Sequence, residues 1–571
     1  MTLPLESSYH PFVQPVIFAE QAREIDRLTS DSYQTPSSFL MEAAANACLR
    51  ALEAEAGSLN NKKALVLCGR GNNGGDGAAL ARGLSRVGVH CDVVLFGKLS
   101  ETIGDAKTNF AMVKQLARFE AGSAASPSPV TFTECDGIAA WEQIARPRGA
   151  YDFIIDALFG TGLSRPLDGV YLQVIEHLSL LKQARSRAAA ERPLILSIDI
   201  PSGLNADKAN PIGPAVTADL TVTFTAPKPA NVLPPASSFG GRLVVADIGS
   251  PASLVEKTKP WLFVTEEAEV RQWLRRTRYT PESYKNTHGH VLIAAGSREY
   301  SGAPALCGNA AMRSGAGLVT VATPASAQSV VATKVMEEVI TTSLAETDRG
   351  AISDAALESF LQFAKRVDVV AIGPGLTSDD ERTRTFVRDV VRRRSFPLVI
   401  DADGLNSLAP WPDDLSGTRT LPIVLTPHPG EMLRLLGTEN KSTIVGRVAA
   451  IRDFATQHEV ILVLKGSRSI VATPDGKVLI NPTGNPGVGT AGAGDTLTGI
   501  IAGFLAQEYA NTKTDPDPVC ATVAALFVSG LAGDFAARKL GMRTMVASDI
   551  RDHFSDAVRF LDAQGETPSF D

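Results

Sequence analysis

Short apolar runs alternate with longer stretches of helical periodicity along most of the chain. Continuous apolar runs of about four to eight residues that end at a glycine or an acidic residue are typical of buried parallel strands. In the first half, such runs predict strands over residues 64–68, 89–96, 152–156, 194–199, 218–224 and 243–247. Apolar positions at helical spacing predict helices over residues 16–56 and 78–87. This order indicates an α/β domain built on a parallel sheet.

The strand–helix order weakens over residues 251–276, which hold prolines and a charged helical segment, and it resumes near residue 289. Further strands are predicted over residues 291–295, 318–322, 367–372, 398–401, 423–426, 461–465 and 469–472. We therefore expect two doubly wound α/β domains, 1–250 and 277–571, with 251–276 as the boundary region. The low-complexity segment 121–129 predicts a surface loop, and the polar tail after Gln564 predicts a frayed end.

Composition narrows the class of function. Of 571 residues, 44% are hydrophobic and 20% are charged, which is ordinary for soluble globular protein. The net charge of −7 and the absence of a basic block argue against nucleic acid as a partner. No apolar run reaches transmembrane length, and no signal-peptide pattern opens the chain. Six scattered cysteines without a C-x-x-C pair indicate free thiols in the cytoplasm rather than disulfides or zinc.

A glycine-rich segment, GRGNNGGDG at residues 69–77, lies between a predicted strand and a predicted helix. Glycines let the backbone approach a phosphate closely, and amides at a helix start face anions. The segment lacks both the Rossmann G-x-G-x-x-G spacing and the lysine of a P-loop. Asn72, Asn73 and Asp76 add oxygen atoms that a phosphate loop does not require, so a richer ligand site is favoured over a tight structural turn.

Two other predicted strands end in aspartate. Asp156 opens the segment DALFGTGLSRP, and Asp199 opens DIPSGLN, which contains Ser202. Each aspartate alone could be a helix N-cap. The carboxyl ends of parallel strands meet at one edge of a sheet, so together they predict a pocket. There Asn73, Asp156 and Ser202 would ligate a hard cation, and the free Asp199 carboxylate would act as acid or base.

These three motifs, in this order, resemble the NAD(P)HX epimerase domain over about residues 16–250. That family interconverts the R and S epimers of hydrated NADH and NADPH, in which water has added at C6 of the dihydronicotinamide ring. The resemblance implies a Rossmann-like three-layer fold, potassium as the cation, and Asp199 as the residue that acts at C6. The substrate-binding residues that it implies are Asn72, Asn73, Gly74, Gly75, Asp76, Gly160, Thr161, Gly162, Leu163, Ser164, Arg165, Pro166 and Asp199.

The second half carries a glycine–aspartate motif, GTAGAGDTLTG at residues 489–499, before an apolar helical stretch. Glycines at a helix start form an anion hole, and Asp495 is placed to take a proton from a substrate hydroxyl. A packed helix start without chemistry is the alternative. Further polar turns follow predicted strands at residues 373–376, 401–406 and 426–431, and the last of these holds His428 between two prolines, where we expect ligand contact. His288 and His290 form H-x-H without a third ligand, which argues against zinc.

The motifs GHVLIAAGS, GPGL, TPHPGE, LKG and GAGDTLTG resemble the ribokinase-like superfamily, and most closely the ADP/ATP-dependent NAD(P)HX dehydratases, over about residues 277–560. Residues 491–493 read AGA where relatives often have GS or GT, a change to small residues that should preserve the anion hole. The resemblance implies that the hydrated nicotinamide nucleotide is held by Ala303, Gly375, His428 and Asp495. It implies that the adenine nucleotide is held by Lys465, Gly466, Ser467, Arg468, Ser469 and Gly494.

Together the two resemblances imply a bifunctional enzyme, an isomerase joined to a lyase. Its substrates would be NADHX, NADPHX and either ADP or ATP with Mg²⁺, and it would form a homo-oligomer without nucleic-acid or membrane partners. The alternative is a small-molecule kinase of the ribokinase-like superfamily fused to a ligand-binding or interaction module. A classical dehydrogenase is disfavoured because the glycine fingerprint is wrong.

Overall fold

The computed structural model describes residues 13–121, 129–145, 151–185, 192–441, 448–512 and 514–562. The chain divides into two compact units, and the division falls between Pro260 and Trp261. The N-terminal unit is Pro15–Pro260, and the C-terminal unit runs from Trp261 and takes in the described residues before Pro15. Most of the loop predicted at 121–129 and the tail after Gln564 lie outside the described residues.

The described strands of the N-terminal unit form one sheet whose neighbours are all parallel. The first described strand, β1 (Val13–Pro15), belongs to the other sheet. The strands are β2 (Lys63–Cys68), β3 (His90–Phe96), β4 (Val130–Cys135), β5 (Phe153–Ala157), β6 (Leu194–Ile198), β7 (Leu220–Phe224) and β8 (Arg242–Ala246). The sequence pattern missed only β4 among these, because its polar residues alternate with apolar ones at the edge of the sheet.

The strand order β4-β3-β2-β5-β6-β7-β8 reverses between β2 and β5. At such a switch point the carboxyl ends of neighbouring strands open a crevice, where ligands bind in doubly wound folds. Leu67 pairs with Asp156 in the register of β2 and β5. The glycine-rich segment therefore begins directly beside Asp156.

Helices cover both faces of this sheet. They are α1 (Ala19–Tyr33), α2 (Ser37–Ala56), α3 (Asn72–Arg86), α4 (Gly104–Ala121), α5 (Ile138–Ile144), α6 (Gly169–Arg185), α7 (Pro229–Val232) and α8 (Ala252–Lys257). Val66 and Cys68 pack into one core with α2, α3 and α4, while Leu65 and Leu67 pack into another with α5 and α6. The predicted helix over 16–56 is two helices, divided after Tyr33 by a left-handed residue, Gln34, at φ 58°.

The C-terminal unit has a larger, mixed sheet. Its further strands are β9 (Leu262–Thr265), β10 (His290–Ala294), β11 (Leu318–Pro324), β12 (Ile340–Leu344), β13 (Val369–Ile372), β14 (Leu398–Ile400), β15 (Ile423–Leu425), β16 (Ile461–Leu464), β17 (Ile470–Ala472) and β18 (Val478–Ile480). The order is β1-β9-β18-β17-β16-β15-β14-β13-β10-β11-β12. The run from β12 to β16 is parallel and reverses between β10 and β13, whereas β17 pairs antiparallel with both neighbours.

The helices of this unit are α9 (Glu267–Arg276), α10 (Gly302–Arg313), α11 (Ala325–Ala332), α12 (Leu357–Ala364), α13 (Glu381–Arg392), α14 (Ala402–Leu408), α15 (Pro429–Leu435), α16 (Val448–Gln457), α17 (Ala493–Asn511), α18 (Pro518–Leu540), α19 (Ala547–Asp552) and α20 (Phe554–Asp562). Val291 and Ile293 of β10 face a core formed with α10, α17 and α18. The alternating residues Leu292 and Val370 are also fully buried, so both faces of the sheet are covered. The two doubly wound α/β units predicted from the sequence are thereby confirmed.

Two local findings differ from the sequence pattern. The stretch expected as a boundary region, 251–276, is mostly regular structure: it contains α8, β9 and all of α9, and β9 is a full member of the C-terminal sheet. In addition, α18 is long and apolar enough to cross a membrane by length and composition. Its most apolar window is 72% buried, as in the core helix of a globular unit.

Candidate active sites

The glycine-rich segment of the N-terminal unit is mainly a helix start. Helix α3 begins at Asn72, several residues before the predicted start, so Asn72 to Asp76 form its first turns rather than a loop. Two glycines are required by close packing: a Cβ on Gly69 would lie 2.0 Å from the Leu158 carbonyl oxygen, and a Cβ on Gly74 would lie 1.8 Å from that of Gly69. The glycines thus bring the start of α3 against the end of β5.

Asp156, at the end of β5, is the centre of a buried hydrogen-bond cluster. One carboxylate oxygen accepts hydrogen bonds from the Ser202 hydroxyl at 2.6 Å, and the other accepts from the Ser197 hydroxyl at 2.7 Å and the Ser202 amide at 2.9 Å. The Ser202 hydroxyl also accepts a hydrogen bond from the Phe159 amide at 3.0 Å. Burial raises the pKa of Asp156, and these hydrogen bonds oppose that rise. Two of the three predicted cation ligands therefore touch each other directly.

Asn73, the third predicted cation ligand, lies beside the loop that follows β5. A Cβ on Gly160 would lie 3.0 Å from the Asn73 Oδ1 atom and 3.3 Å from the Asp199 Oδ2 atom. The Asn73 Nδ2 atom is buried and has no hydrogen-bond partner among the described residues. Asn73 is thus close to Asp199 as well as to the Phe159–Gly160 turn.

Asp199 directly follows β6 and forms a buried ion pair that the sequence pattern did not reveal. Its Oδ1 atom lies 2.7 Å from the Nζ atom of Lys228 and accepts a hydrogen bond from the Thr223 hydroxyl at 2.9 Å. Lys228 is 2% exposed, and its ammonium also donates to Thr223 and to the Phe224 carbonyl, each at 3.1 Å. Asp199 holds a left-handed backbone conformation at φ 65°, which is strained for a residue with a side chain.

A cavity of about 270 Å³ opens above this ion pair. Its lining includes the predicted residues Asn72, Asp76, Thr161 and Asp199, and it adds Lys228 and Asp26. Burial raises the pKa of Asp26 to about 6, although that side chain is open to the cavity, and nearby Asp199 adds to the rise while Lys228 opposes it. Burial, together with Asp199 and Asp26, raises the pKa of Asp76 well above its usual range. Several acid–base groups are therefore gathered in one cavity.

The remaining predicted substrate contacts of this unit fall into two groups. Gly74 and Gly75 are buried in the packing of α3, and Leu163 packs in the core against α6. The exposed group lies in the loop after β5 and comprises Gly162, Ser164, Arg165 and Pro166. None of these lines the cavity, so their contact with substrate stays a prediction.

The C-terminal unit gathers a second buried ion pair at the ends of its parallel strands. Asp401, directly after β14, is 1% exposed, and its Oδ1 atom lies 2.6 Å from the Nζ atom of Lys465, directly after β16. The Thr498 hydroxyl of α17 donates to the other Asp401 oxygen at 2.8 Å. Burial alone would raise the pKa of Asp401, but the Lys465 ammonium and these hydrogen bonds lower it below its usual range. Lys465 also lies 3.8 Å from Glu431.

Asp495 lies in the first turn of α17, whose N-cap is Gly492 in a left-handed conformation at φ 84°. A Cβ on Gly494 would lie 3.3 Å from the Lys465 ammonium, so this lysine reaches the start of the helix. Burial raises the pKa of Asp495 to about 6, with a further rise from Asp401 and an opposing effect from Lys465. A carboxylate, an ammonium group and a row of helix-start amides thus lie together, an arrangement that can stabilise negative charge on a ligand.

His428 has a local structural role as well as an exposed face. Its Nδ1 atom accepts hydrogen bonds from the Gly430 and Glu431 amides at 3.0 and 3.2 Å, and so caps α15. This assigns the proton of the neutral ring to Nε2, which lies 3.4 Å from a Glu431 oxygen. Its side chain is 51% exposed, which leaves room for a ligand.

The other predicted contacts lie around the same edge of the sheet. A Cβ on Gly375, at φ 68°, would lie 3.1 Å from the Cβ of Ala303, so these two residues adjoin. Gly466, Ser467, Arg468 and Ser469 form the turn between β16 and β17, in which Arg468 has φ 51°. The structure therefore brings Ala303 to Gly375, and Lys465 to Gly494 and Asp495.

The two histidines of the H-x-H segment do not act together. His288 is buried and stacks on Tyr279 with ring centroids 3.7 Å apart, while the His290 Nε2 atom lies 2.8 Å from the Thr320 hydroxyl. Across the described ranges, no group of three or more His, Cys, Asp and Glu side chains is placed to hold a metal ion. The six cysteines are free thiols.

Sequence reasoning missed Lys228, Asp26 and Glu431 and gave Asp401 no role. Lys228 follows the end of β7 by four residues and Asp401 directly follows β14, so the strand-end criterion that selected Asp199 could have selected both. Asp26 carries no such signal because it projects from a helix.

Comparison with known proteins supports the family assignment of both halves of the chain. Residues 291–555 match the family described as NAD(P)H-hydrate dehydratase, and residues 37–230 match the YjeF-related protein N-terminus. The chain is similar to the bifunctional NAD(P)H-hydrate repair enzyme Nnr of Moorella thermoacetica, with 38% identity over 97% of this chain and 98% of that protein. It is 36% identical to Nnr of Thermofilum pendens, over 94% of this chain and 95% of that protein.

Among solved structures, the ADP/ATP-dependent NAD(P)H-hydrate dehydratase of Bacillus subtilis, co-crystallised with ATP and Mg²⁺, is 28% identical. It covers 52% of this chain and 97% of its own, with a TM-score of 0.43. The resemblance inferred from the motifs is confirmed by the relatives that match along nearly the whole length. The chain belongs to the family of bifunctional NAD(P)H-hydrate repair enzymes.

Proposed function

We propose that the N-terminal unit interconverts the R and S epimers of NADHX and NADPHX at C6. The C-terminal unit then dehydrates the S epimer to NAD(P)H at the expense of ADP or ATP. The observation that carries this function is the assembly of both expected sites in one chain. The Asp199–Lys228 pair lines a cavity in one unit, and Asp495 adjoins the Asp401–Lys465 pair at a helix start in the other.

Dehydration requires a better leaving group than hydroxide at C6. Transfer of the terminal phosphoryl group of the nucleotide to the C6 hydroxyl supplies one, and Asp495 accepts the hydroxyl proton. The lone pair of the ring nitrogen then expels phosphate, and loss of a proton from C5 restores the ring double bond. During transfer, the Lys465 ammonium and the amides at the start of α17 stabilise charge on the phosphoryl oxygens.

Mg²⁺ fits this site as an ion that enters with the nucleotide. Mg²⁺ is commonly bound by substrate phosphates and one or two carboxylates. The described residues include no group of three or more His, Cys, Asp and Glu side chains that could bind Mg²⁺ without the nucleotide. The Asp495 carboxylate is available to the ion beside the expected phosphoryl position. When bound, the ion would neutralise phosphate charge.

Potassium fits the Asp156 cluster by the chemistry of its donors. Asn73, Asp156 and Ser202 offer an amide, a carboxylate and a hydroxyl oxygen, and the last two are already in contact at 2.6 Å. Hard cations prefer such oxygen ligands. The ion would supply positive charge beside the loop after β5, which is expected to contact the dinucleotide.

The assay that tests the function uses the full chain and an R/S mixture of NADHX. With ADP or ATP, we expect complete recovery of the absorbance of reduced nicotinamide, with one phosphate released for each NADH formed. Without nucleotide, only equilibration of the two epimers should occur. Chiral chromatography measures the proportion of each epimer over time. A stable phosphorylated product without recovered absorbance would identify a small-molecule kinase instead.

The potassium site gives a separate prediction. Replacing Asn73 with alanine removes one oxygen ligand, so the potassium concentration for half-maximal epimerisation should rise about tenfold, which corresponds to about 1.4 kcal/mol of ion binding. Stability should change little, because the Nδ2 atom that is lost has no partner among the described residues. Dehydration of pure S epimer by the same variant is the internal control. Unchanged potassium dependence would remove Asn73 from the ion site.

The six free thiols are consistent with the cytoplasm, the compartment we propose for this enzyme. We also propose that the chain acts as a homo-oligomer on small-molecule substrates, without nucleic-acid or membrane partners. Gel filtration with light scattering measures the oligomeric state directly.

A further inference from the structure

Helix α1 presents a polar stripe to the cavity of the N-terminal unit. Arg23, Asp26, Arg27 and Ser30 line the cavity and recur at the spacing of one helical face. The opposite side of the same helix is anchored by buried Ile25 and Thr29. These charged groups are exposed toward the cavity, and packing of the helix does not explain why they line it.

Asp26 is the acid–base group of this stripe. Arg27 pairs with Glu24 and Asp31 along the surface of the helix, each at 2.8 Å. Asp26 itself makes no hydrogen bond or ion pair within the described part of the chain. The charged groups that bear on it are Lys228, Asp199 and Asp76 on the other walls of the cavity, Arg23 and Arg27 on its own helix, and Asp105 of α4, which accepts a hydrogen bond from Ser37.

Epimerisation at C6 requires chemistry on two faces of one ring. The lone pair of the ring nitrogen expels the C6 hydroxyl, which takes a proton from an acid and leaves as water. Water then adds to the opposite face of the resulting iminium and gives a proton to a base. One water and one proton are lost and one of each is regained, so no external reagent is needed. Two acid–base groups on different walls of the cavity can serve both faces, whereas a single carboxylate serves one.

We infer that Asp26 is the second acid–base residue of the epimerase, acting on the face of the ring opposite to Asp199, with one proton carried by the two carboxyl groups together. This inference rests on the proposed epimerase function and extends it, since Asp199 alone was expected to act at C6. Asp199 is ion-paired with Lys228 and accepts a hydrogen bond from Thr223, whereas Asp26 has no such partner among the described residues. In the active form of the pair, Asp26 therefore carries the proton.

The single proton on the Asp26–Asp199 pair determines how epimerisation depends on pH. Burial raises the pKa of Asp26 to about 6. The form with one proton on the pair is lost as the pH rises through that value, so kcat/KM should decline above pH 6. The R/S equilibrium does not depend on pH, so kcat/KM must follow the same profile in both directions.

The test uses the full chain without nucleotide and follows the approach of pure S epimer to the R/S mixture. Asp26→Asn keeps the shape of the protonated side chain, and we expect epimerisation to fall by at least about 100-fold. Glu24→Gln, an exposed carboxylate on the same helix, is the matched control and should stay within about twofold of the unmodified enzyme. In Asp26→Ala, added formate should restore part of the rate, since it can replace the missing carboxyl group. In ¹⁸O-labelled water, each inversion by the unmodified enzyme should place one solvent oxygen at C6.

Several outcomes would overturn the inference. These are epimerisation by Asp26→Asn near the unmodified rate, a rise in KM alone without formate rescue, or inversion without uptake of solvent oxygen. Dehydration of pure S epimer with ATP must persist in every variant, which shows that the C-terminal unit is folded, and unchanged thermal melting of the N-terminal unit must show that it is folded as well. An unmodified chain that dehydrates the S epimer but never forms it from R would instead contradict the proposed epimerase function itself.

Discussion

Dehydration of S-NAD(P)HX should fall by roughly 10²–10⁴-fold when Asp495 is replaced by asparagine, the range expected for loss of a general base. Asparagine keeps the size and polarity of the side chain but cannot accept the proton of the C6 hydroxyl. The loss should appear in kcat, because Lys465 and the amides at the start of α17 remain to bind phosphate. Epimerisation, which belongs to the other unit, should be unchanged.

The pH profile adds a second measurement. Burial and nearby Asp401 raise the pKa of Asp495 to about 6. Asp495 must be ionised to act as a base, so dehydration should decline as the pH falls through about 6, opposite in sense to epimerisation. Glu381→Gln is the matched control, because Glu381 also lies in the first turn of a helix but is 68% exposed and makes its ion pair with Arg388 of the same helix. Dehydration by Asp495→Asn at the unmodified rate would remove Asp495 from the mechanism.

Both units have the same arrangement at the carboxyl end of a parallel strand: an aspartate directly after the strand, ion-paired with a lysine whose side chain is at most 20% exposed. The pairs are Asp199–Lys228 at 2.7 Å and Asp401–Lys465 at 2.6 Å, and each aspartate also accepts a hydrogen bond from a threonine hydroxyl. Buried ion pairs contribute little net stability, because desolvation of both charges offsets their attraction. Their place beside the two candidate sites agrees with the catalytic roles proposed for those sites.

The strand ends were predictable from the sequence because a continuous apolar run marks a buried parallel strand, whichever strand it pairs with in the sheet. Asp156 and Ser202 were assigned to one site by that rule alone, and the structure joins them at 2.6 Å. Strands β12 and β18 escaped detection. Strand β12 is a partly exposed edge strand in which polar residues interrupt the apolar run.

What the sequence could not provide was the partner of each charged group. Lys228 reaches Asp199 over 29 positions, and Lys465 reaches Asp401 over 64. Such pairs depend on the order of strands in the sheet, which local periodicity does not encode. Asp26 depends in addition on which face of α1 turns to the cavity. The early start of α3 was hidden by glycines, which have low helix propensity but are required there by close packing.

Replacing Lys228 with methionine should destabilise the N-terminal unit by about 3–5 kcal/mol and abolish most of its epimerase activity. Lys228 is 2% exposed, and its ammonium is the only cation within ion-pair distance of Asp199 among the described residues. Its removal leaves a carboxylate without compensation in a nearly closed site. The chain relieves that cost by unfolding more readily or by protonating Asp199, and either response removes the charge expected to act at C6.

A double variant separates charge from packing. Lys228→Met with Asp199→Asn removes both charges, so calorimetry should show most of the lost stability regained while epimerisation stays absent. Lys208→Met, an exposed lysine of the same unit, is the matched control and should change neither property. Dehydration of pure S epimer should persist in all three proteins below the first unfolding transition. Equal destabilisation of the single and double variants would show that Lys228 acts through packing of its alkyl chain, and the charge-pair interpretation would be wrong.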